Sequence, residues 1–185
     1  MKRPENLTKT ILHAVIGALG VLILGFLGLP YVTQAAYSIM GTENPALKSS
    51  GYDVLDSNNP DPTAKETFLY VAVLLLVIFA CIMIVSAVLA LLDDFGVVSN
   101  EMYSKVVKWV LFASALAVLV LTILNIVACT GVVAEKNELV DTMNKQHASY
   151  GVVIPAVKTG LISLILEMIC GAGATACAAY NTFKK

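Results

Sequence analysis

One carboxylate, Glu167, lies inside a long apolar stretch near the end of the chain. A charge at the centre of a bilayer costs about 3 kcal/mol by insertion scales, so an acid there normally faces other helices or a wet cavity. Asn125, in the preceding apolar stretch, is expected at a similar depth because consecutive spans run in opposite directions. We therefore predict an intramembrane polar site in which Glu167 hydrogen-bonds Asn125, with Thr122 and Ser163 nearby.

Two roles are open for this site. Intramembrane acids point to function by default, which here would be proton or cation handling. The alternative is a neutral acid that joins helices by hydrogen bonding. This structural role is favoured because no second ionisable group accompanies Glu167.

Small residues accompany Glu167 on one face of its predicted helix, since residues three or four apart lie on the same side. Such a face lets another helix approach closely. The same argument applies to the glycines of the first apolar stretch, whether they pack within the chain or against a second copy. The predicted packing residues are Gly17, Gly20, Gly25, Gly28, Gly160, Gly171 and Ala174.

Four apolar stretches are each long enough for a membrane span, which needs about 20 helical residues. They cover about 10–31, 67–92, 109–134 and 152–180. The chain is 58% hydrophobic and 14% charged, whereas a soluble domain has about 25% charged residues. We predict an all-α fold, an antiparallel bundle of four transmembrane helices forming a single domain, 1–185. A cleavable signal peptide is the alternative for the first stretch, but its length favours a retained helix.

The basic residues predict the orientation, because Lys and Arg are enriched in cytoplasmic loops. More of them fall at the termini and in the inner loop, 93–108, than in the outer loops, 32–66 and 135–151. Both termini are therefore expected in the cytoplasm, with the protein in the plasma membrane. Aromatic residues such as Tyr31 and Tyr70 should mark the outer interface.

The first outer loop is the longest polar segment and is expected to form an ordered or semi-ordered cap over the helices. It is rich in turn-forming Asn, Pro and Ser. Thr63 and Glu66 have the spacing of a capping box at the start of the second span. The charged second outer loop has no Pro or Gly before Ser149, so it can extend the third span as a helix.

Little in the sequence predicts catalysis or a bound cofactor. There is no phosphate loop, nucleophile elbow or zinc-ligand set, so no catalytic residue, metal site or cofactor is expected. His13 has no second His or Cys near it and is expected to be an interfacial residue. The net charge of −1 gives no reason to expect nucleic-acid binding.

The layout of four spans, a longer first outer loop and a shorter second one is similar to that of claudin-like and other tetraspan proteins. The claudin first loop carries Trp and two Cys, and tetraspanins carry Cys-Cys-Gly; neither feature is present in this chain. The resemblance is limited to layout, and no family follows from it.

The leading interpretation is a non-enzymatic membrane scaffold, accessory subunit or partner-binding protein. It would sit in the lipid bilayer and bind a protein partner, or a second copy, through its outer loops or its Gly-rich first span. The alternative is a small channel or transporter with Glu167 and Asn125 in a proton or cation path. A membrane enzyme acting on lipid or thiols is a third and weaker interpretation.

Overall fold

The computed structural model describes residues 7–39, 42–56, 59–98, 100–148 and 153–183. The structure is mostly helical (75%), which agrees with the predicted fold class. In chain order its elements are α1 (Leu7–Phe26), β1 (Pro30–Gln34), β2 (Tyr37–Ile39), β3 (Thr42–Asn44), β4 (Leu47–Ser50), α2 (Gly51–Leu55), α3 (Ala64–Asp94), α4 (Glu101–Gln146), β5 (Lys158–Thr159) and α5 (Leu161–Phe183).

Four helices, α1, α3, α4 and α5, are long and apolar enough to cross a membrane. Apolar side chains such as Val85, Val88, Val120 and Val127 lie exposed on α3 and α4. A helix that is apolar around its whole circumference belongs in a protein core or in lipid. The four helices therefore indicate a membrane-embedded protein.

The first helix ends earlier than the apolar pattern predicts. The predicted span covers about 10–31, whereas α1 ends at Phe26 and β1 begins at Pro30. Gly25 and Gly28 lower helix propensity, and a proline at position 30 lacks an amide hydrogen and clashes with the carbonyl four residues earlier. The chain therefore leaves the helix before Pro30 and enters a strand.

The last helix begins later than predicted. The fourth apolar stretch predicts a span over about 152–180, but α5 begins only at Leu161. Pro155, in the segment before α5, has no amide hydrogen to donate to a helical hydrogen bond. The short strand β5 follows, and the residues from 153 to 160 are not helical.

Two Asn side chains of α4 hold the non-helical segment before α5 in place. The Asn144 side chain accepts from the Ile154 amide at 2.7 Å and donates to the Ile154 carbonyl at 2.9 Å. Asn137 makes the same pair of bonds with Val157, at 2.8 and 3.0 Å. These bonds satisfy backbone groups that a helix would otherwise satisfy internally. As α4 runs to Gln146, most of the second outer loop extends the third predicted span, as expected.

The loops contain strands that the sequence did not reveal. A three-stranded antiparallel sheet has the order β4-β1-β5, with Val32 paired to Ser49 on one side and to Thr159 on the other. β2 and β3 pair antiparallel with each other. The first outer loop, expected as a cap, is therefore built on a sheet.

The chain divides into two compact units. We call Met1–Phe26, Leu74–Ile123 and Ile165–Lys185 the helical unit, and Leu27–Val73 with Leu124–Leu164 the loop unit. The core of the helical unit consists of buried aliphatic side chains from its helices, among them Ile16, Ile23, Leu76, Met83, Leu111 and Val118.

The core of the loop unit forms around β1. Tyr31, Leu27, Leu69 and Leu164 are buried there. The amide of Gly51, the first residue of α2, donates to the Leu27 carbonyl at 2.8 Å. This bond anchors α2 against the residues that precede the sheet.

Candidate binding site in the loop unit

The loop unit contains a partly open cavity of about 400 Å³. Three of its lining side chains are aliphatic and buried, and we call them the floor of the cavity: Val32 from β1, Leu69 from α3 and Val132 from α4. Small-molecule sites typically have volumes of about 300–1,000 Å³ and are lined mainly by apolar side chains. The cavity therefore has the size and the floor of a site for an apolar group.

Apolar lining continues from the floor to the outside. Leu47 of β4, 45% exposed, and Tyr70 of α3, 39% exposed, both line the cavity. Successive side chains of a strand point to opposite faces. Accordingly Leu47 and Ser49 line the cavity, whereas Lys48 between them does not.

One ion pair lies on the rim of the cavity. Lys136 Nζ lies 3.2 Å from Glu66 Oε1. The other oxygen of Glu66 accepts from the Asn59 side chain and from the Thr63 amide, each at 3.2 Å. The Glu66 amide donates to Thr63 Oγ1 at 3.3 Å, so the predicted capping box is confirmed. Both carboxylate oxygens of Glu66 are thus already engaged.

A second rim carboxylate, Asp53, is engaged on one side only. Its Oδ2 accepts from the amide and the hydroxyl of Ser50, at 2.6 and 2.9 Å, within a capping box at the start of α2. In the described part of the chain, no hydrogen bond or ion pair reaches Oδ1. Sequence reasoning did not single out Asp53, although Ser50 and Asp53 have capping-box spacing.

The hydrogen bond from the Ser50 amide, and to a lesser extent that from the Ser50 hydroxyl, holds the pKa of Asp53 below its usual range. Because the pKa of Asp53 is lower in the folded protein than in the unfolded chain, the bonds from Ser50 stabilise the fold in full at pH values above the unfolded pKa. This stabilisation is lost as pH falls through the lowered folded pKa. Asp53 is therefore ionised at neutral pH and leaves one charged oxygen available at the rim.

The predicted intramembrane residues are all buried, with Glu167 and Asn125 at 0% exposure. Glu167 and Thr122 belong to the helical unit, whereas Asn125 and Ser163 belong to the loop unit. Thr122 Oγ1 donates to the Leu119 carbonyl of its own helix at 2.8 Å. The proposed Glu167–Asn125 hydrogen bond joins residues of different units, and it stays a prediction.

Within the loop unit, Asn125 and Ser163 bond to β1 and its neighbours. Asn125 Nδ2 donates to the Tyr31 hydroxyl at 2.8 Å. Ser163 Oγ bonds the carbonyls of Pro30, at 3.1 Å, and Gly160, at 2.8 Å. Tyr31 is fully buried, and its hydroxyl has a polar partner inside the fold. Its predicted place at the outer membrane interface stays a prediction.

Two predicted packing glycines of the first helix make close contacts. A Cβ at Gly20 would lie 2.7 Å from Ile84 Cγ1, and one at Gly17 would lie 3.4 Å from Ala87 Cβ. Gly25 differs, because a Cβ there meets nothing within 4 Å among the described residues. Gly28 is exposed. Intramolecular packing therefore explains Gly17 and Gly20, and no such contact is made at Gly25 among the described residues.

The fourth predicted span contains three packing residues. A Cβ at Gly171 would lie 3.3 Å from Leu119 Cα, and Ala174 is buried. Gly160 precedes α5, and a Cβ there would overlap the Pro30 carbonyl oxygen. These small residues admit close approach of neighbouring backbone.

A charged cluster in the helical unit was missed. His13, expected as an interfacial residue, is buried, and its Nδ1 lies 2.7 Å from Asp94 Oδ2. Lys9 Nζ lies 3.4 Å from the other oxygen of Asp94. The cluster ties α1 to the end of α3. The sequence signal was weak, since His13 and Asp94 are 81 positions apart.

Comparison with known proteins assigns no family to the chain. No family model, curated protein or solved structure matches it. The cavity and the buried polar residues are therefore the basis for a functional proposal.

Proposed function

We propose that this protein is a non-enzymatic four-span membrane protein that binds a partner through the loop unit, as a scaffold or accessory subunit. The observation that supports the proposal is the cavity of about 400 Å³, whose apolar floor continues to the exposed side chains of Leu47 and Tyr70. Covering such apolar surface is favourable by about 25 cal/mol per Å² removed from water.

The rim supports a binding role in a second way. Polar groups around an apolar pocket fix the orientation of what enters it. Glu66 is bound by Lys136, Asn59 and Thr63, and Asp53 by Ser50. Because these interactions fix the conformation of the loops around the cavity, the rim is suited to recognition rather than to proton transfer.

The proposal also includes an orientation. Both termini would lie in the cytoplasm and the outer loops outside the plasma membrane, an arrangement that the enrichment of basic residues in cytoplasmic loops favours. A terminal tag that is digested by protease added to intact cells would contradict this orientation.

Point substitutions on β4 test the binding role in the full-length protein. We expect Leu47→Glu to lower recovery of a co-purified partner at least about tenfold, equivalent to about 1.4 kcal/mol, because it places a charge in the apolar opening. Lys48→Glu, on the opposite face of the same strand, should leave recovery unchanged. Recovery is measured by quantitative mass spectrometry after affinity purification from native membranes.

Thermal unfolding of both variants is measured as a control, to show whether each variant keeps the fold. If folded Leu47→Glu and Lys48→Glu proteins recover the same partners in equal amounts, the cavity is not the binding surface and the proposal is wrong.

A second candidate function is a small channel or transporter. The observation that favours it is the complete burial of Glu167 in α5, a helix able to cross a membrane. An ionisable group at that depth is suited to a proton or cation path. Its test is ion flux that Glu167→Gln removes.

A further inference from the structure

We propose that the loop-unit cavity binds an ammonium-bearing amphiphile, with the apolar group on the cavity floor and the ammonium on the Asp53 carboxylate. The proposal rests on the proposed function in taking the cavity as a binding site, and it specifies the ligand chemistry.

The floor defines the first half of the ligand. Val32, Leu69 and Val132 are aliphatic and buried, and they come from three different elements. Leu47 and Val54 extend this apolar lining. Among the described residues, the side chains of this part of the lining are all aliphatic, so an alkyl group gains burial there without leaving a polar group of theirs unsatisfied.

The charges at the rim define the second half. The charged lining residues are Asp53, Glu66 and Lys136. Lys136 pairs with Glu66, which leaves a net negative charge on Asp53. Asp53 uses only Oδ2 for the α2 capping box. An ammonium can therefore bind Oδ1, whereas an anionic head group would be repelled.

The position of the cavity along α3 defines where such a ligand comes from. Leu69 and Tyr70 line the cavity and belong to the first turns of α3. The uncharged apolar run of this helix begins at Thr67, which also lines the cavity. The cavity therefore lies where a membrane span begins, at the depth at which amphiphile head groups collect.

Photolabelling of the full-length protein in non-ionic maltoside micelles tests the proposal. The probe is octylammonium carrying a diazirine, and adducts are mapped by mass spectrometry. We expect saturable adducts on cavity residues that unlabelled octylammonium displaces and octanoate does not. Phosphatidylethanolamine, added as a further competitor, distinguishes the source: displacement by this lipid indicates a membrane lipid, and displacement by octylammonium alone indicates a soluble amine.

Two pairs of variants separate site binding from partition into the micelle. Asp53→Asn keeps an acceptor for the Ser50 bonds but loses the charge. It should raise the half-saturating probe concentration about two- to fivefold, the usual worth of an exposed ion pair. Val54→Phe should abolish saturable labelling by filling the cavity. Asp56→Asn and Leu55→Phe, neighbours in α2 or at its end that do not line the cavity, should match wild type.

Labelling that does not saturate, or that all four variants leave unchanged, would overturn the proposal. Displacement by octanoate as effective as by octylammonium would also overturn it. If labelling fails while Leu47→Glu still removes a co-purified partner, the ligand class is wrong and the partner-binding role stands. If labelling is saturable and depends on Asp53, but Leu47→Glu does not change partner recovery, the ammonium ligand is supported and the partner-binding role is contradicted.

Discussion

Glu167 is the residue whose role distinguishes the two candidate functions. It is buried in α5 on the same face as Ser163, Cys170 and Ala174, which are also buried. A protonated acid in such a place can hold helices together by hydrogen bonding, whereas an acid in a wet path exchanges protons or cations. Substitution by an amide separates the two roles, because Gln keeps hydrogen-bonding capacity and cannot carry a proton as an acid.

For Glu167→Gln, the binding account predicts no change in transport. The full-length protein in liposomes should show proton and cation flux no higher than protein-free vesicles, both as wild type and as the variant. The free energy of unfolding should change by no more than about 1.5 kcal/mol, the net worth of one hydrogen bond. Flux that wild type conducts and Glu167→Gln removes would establish the channel or transporter instead.

At the residue scale, local sequence patterns were sufficient for some contacts and not for others. The Thr63–Glu66 capping box follows from a three-residue spacing and a single helix start. The Asn125–Tyr31 and His13–Asp94 contacts join residues 94 and 81 positions apart. The sequence places such residues in helices or loops, but their pairing depends on how the chain folds back.

At the scale of elements, the meeting of β1 with the start of α5 shapes the loop unit. The Gly160 amide donates to the Tyr31 carbonyl at 2.7 Å, directly after the short pairing of β5 with β1. The Pro30 carbonyl lies so close to Gly160 that a Cβ there would overlap it. Only glycine allows this approach without a backbone shift.

We expect Gly160→Ala to lower the free energy of unfolding by about 1–3 kcal/mol, the usual cost of overpacking. Gly25→Ala is the matched control: its added methyl meets no described residue within 4 Å, and alanine has the higher helix propensity. It should leave stability unchanged or raise it by up to about 1 kcal/mol. Unfolding in mild detergent, followed by circular dichroism, measures both. Equal stabilities for the two variants would contradict this contact.

The helices were predictable because apolar length alone indicates a span. The strands were not. β1 begins inside the first apolar stretch, and β5 has only two residues, so neither gives a clear two-residue alternation. The bonds from Asn137 and Asn144 to Val157 and Ile154 are tertiary contacts, which a pattern along one segment does not reveal.

At the scale of the whole molecule, the chain combines four apolar helices with a loop unit that contains a sheet and a cavity. The four long apolar helices were predictable from composition, whereas the cavity was not. Its lining comes from β1, β4, α2, α3 and α4, and no short motif marks it. If the proposed binding role is right, this cavity receives a group from outside the chain.

Photo-crosslinking in native membranes tests this claim most directly. Benzoylphenylalanine would replace either Tyr70, which lines the cavity, or Phe68, which is 45% exposed on the same helix and does not line it. We expect a discrete adduct from position 70 that Leu47→Glu abolishes, and no such adduct from position 68. The same adducts from both positions, or adducts from position 70 that Leu47→Glu does not change, would contradict it.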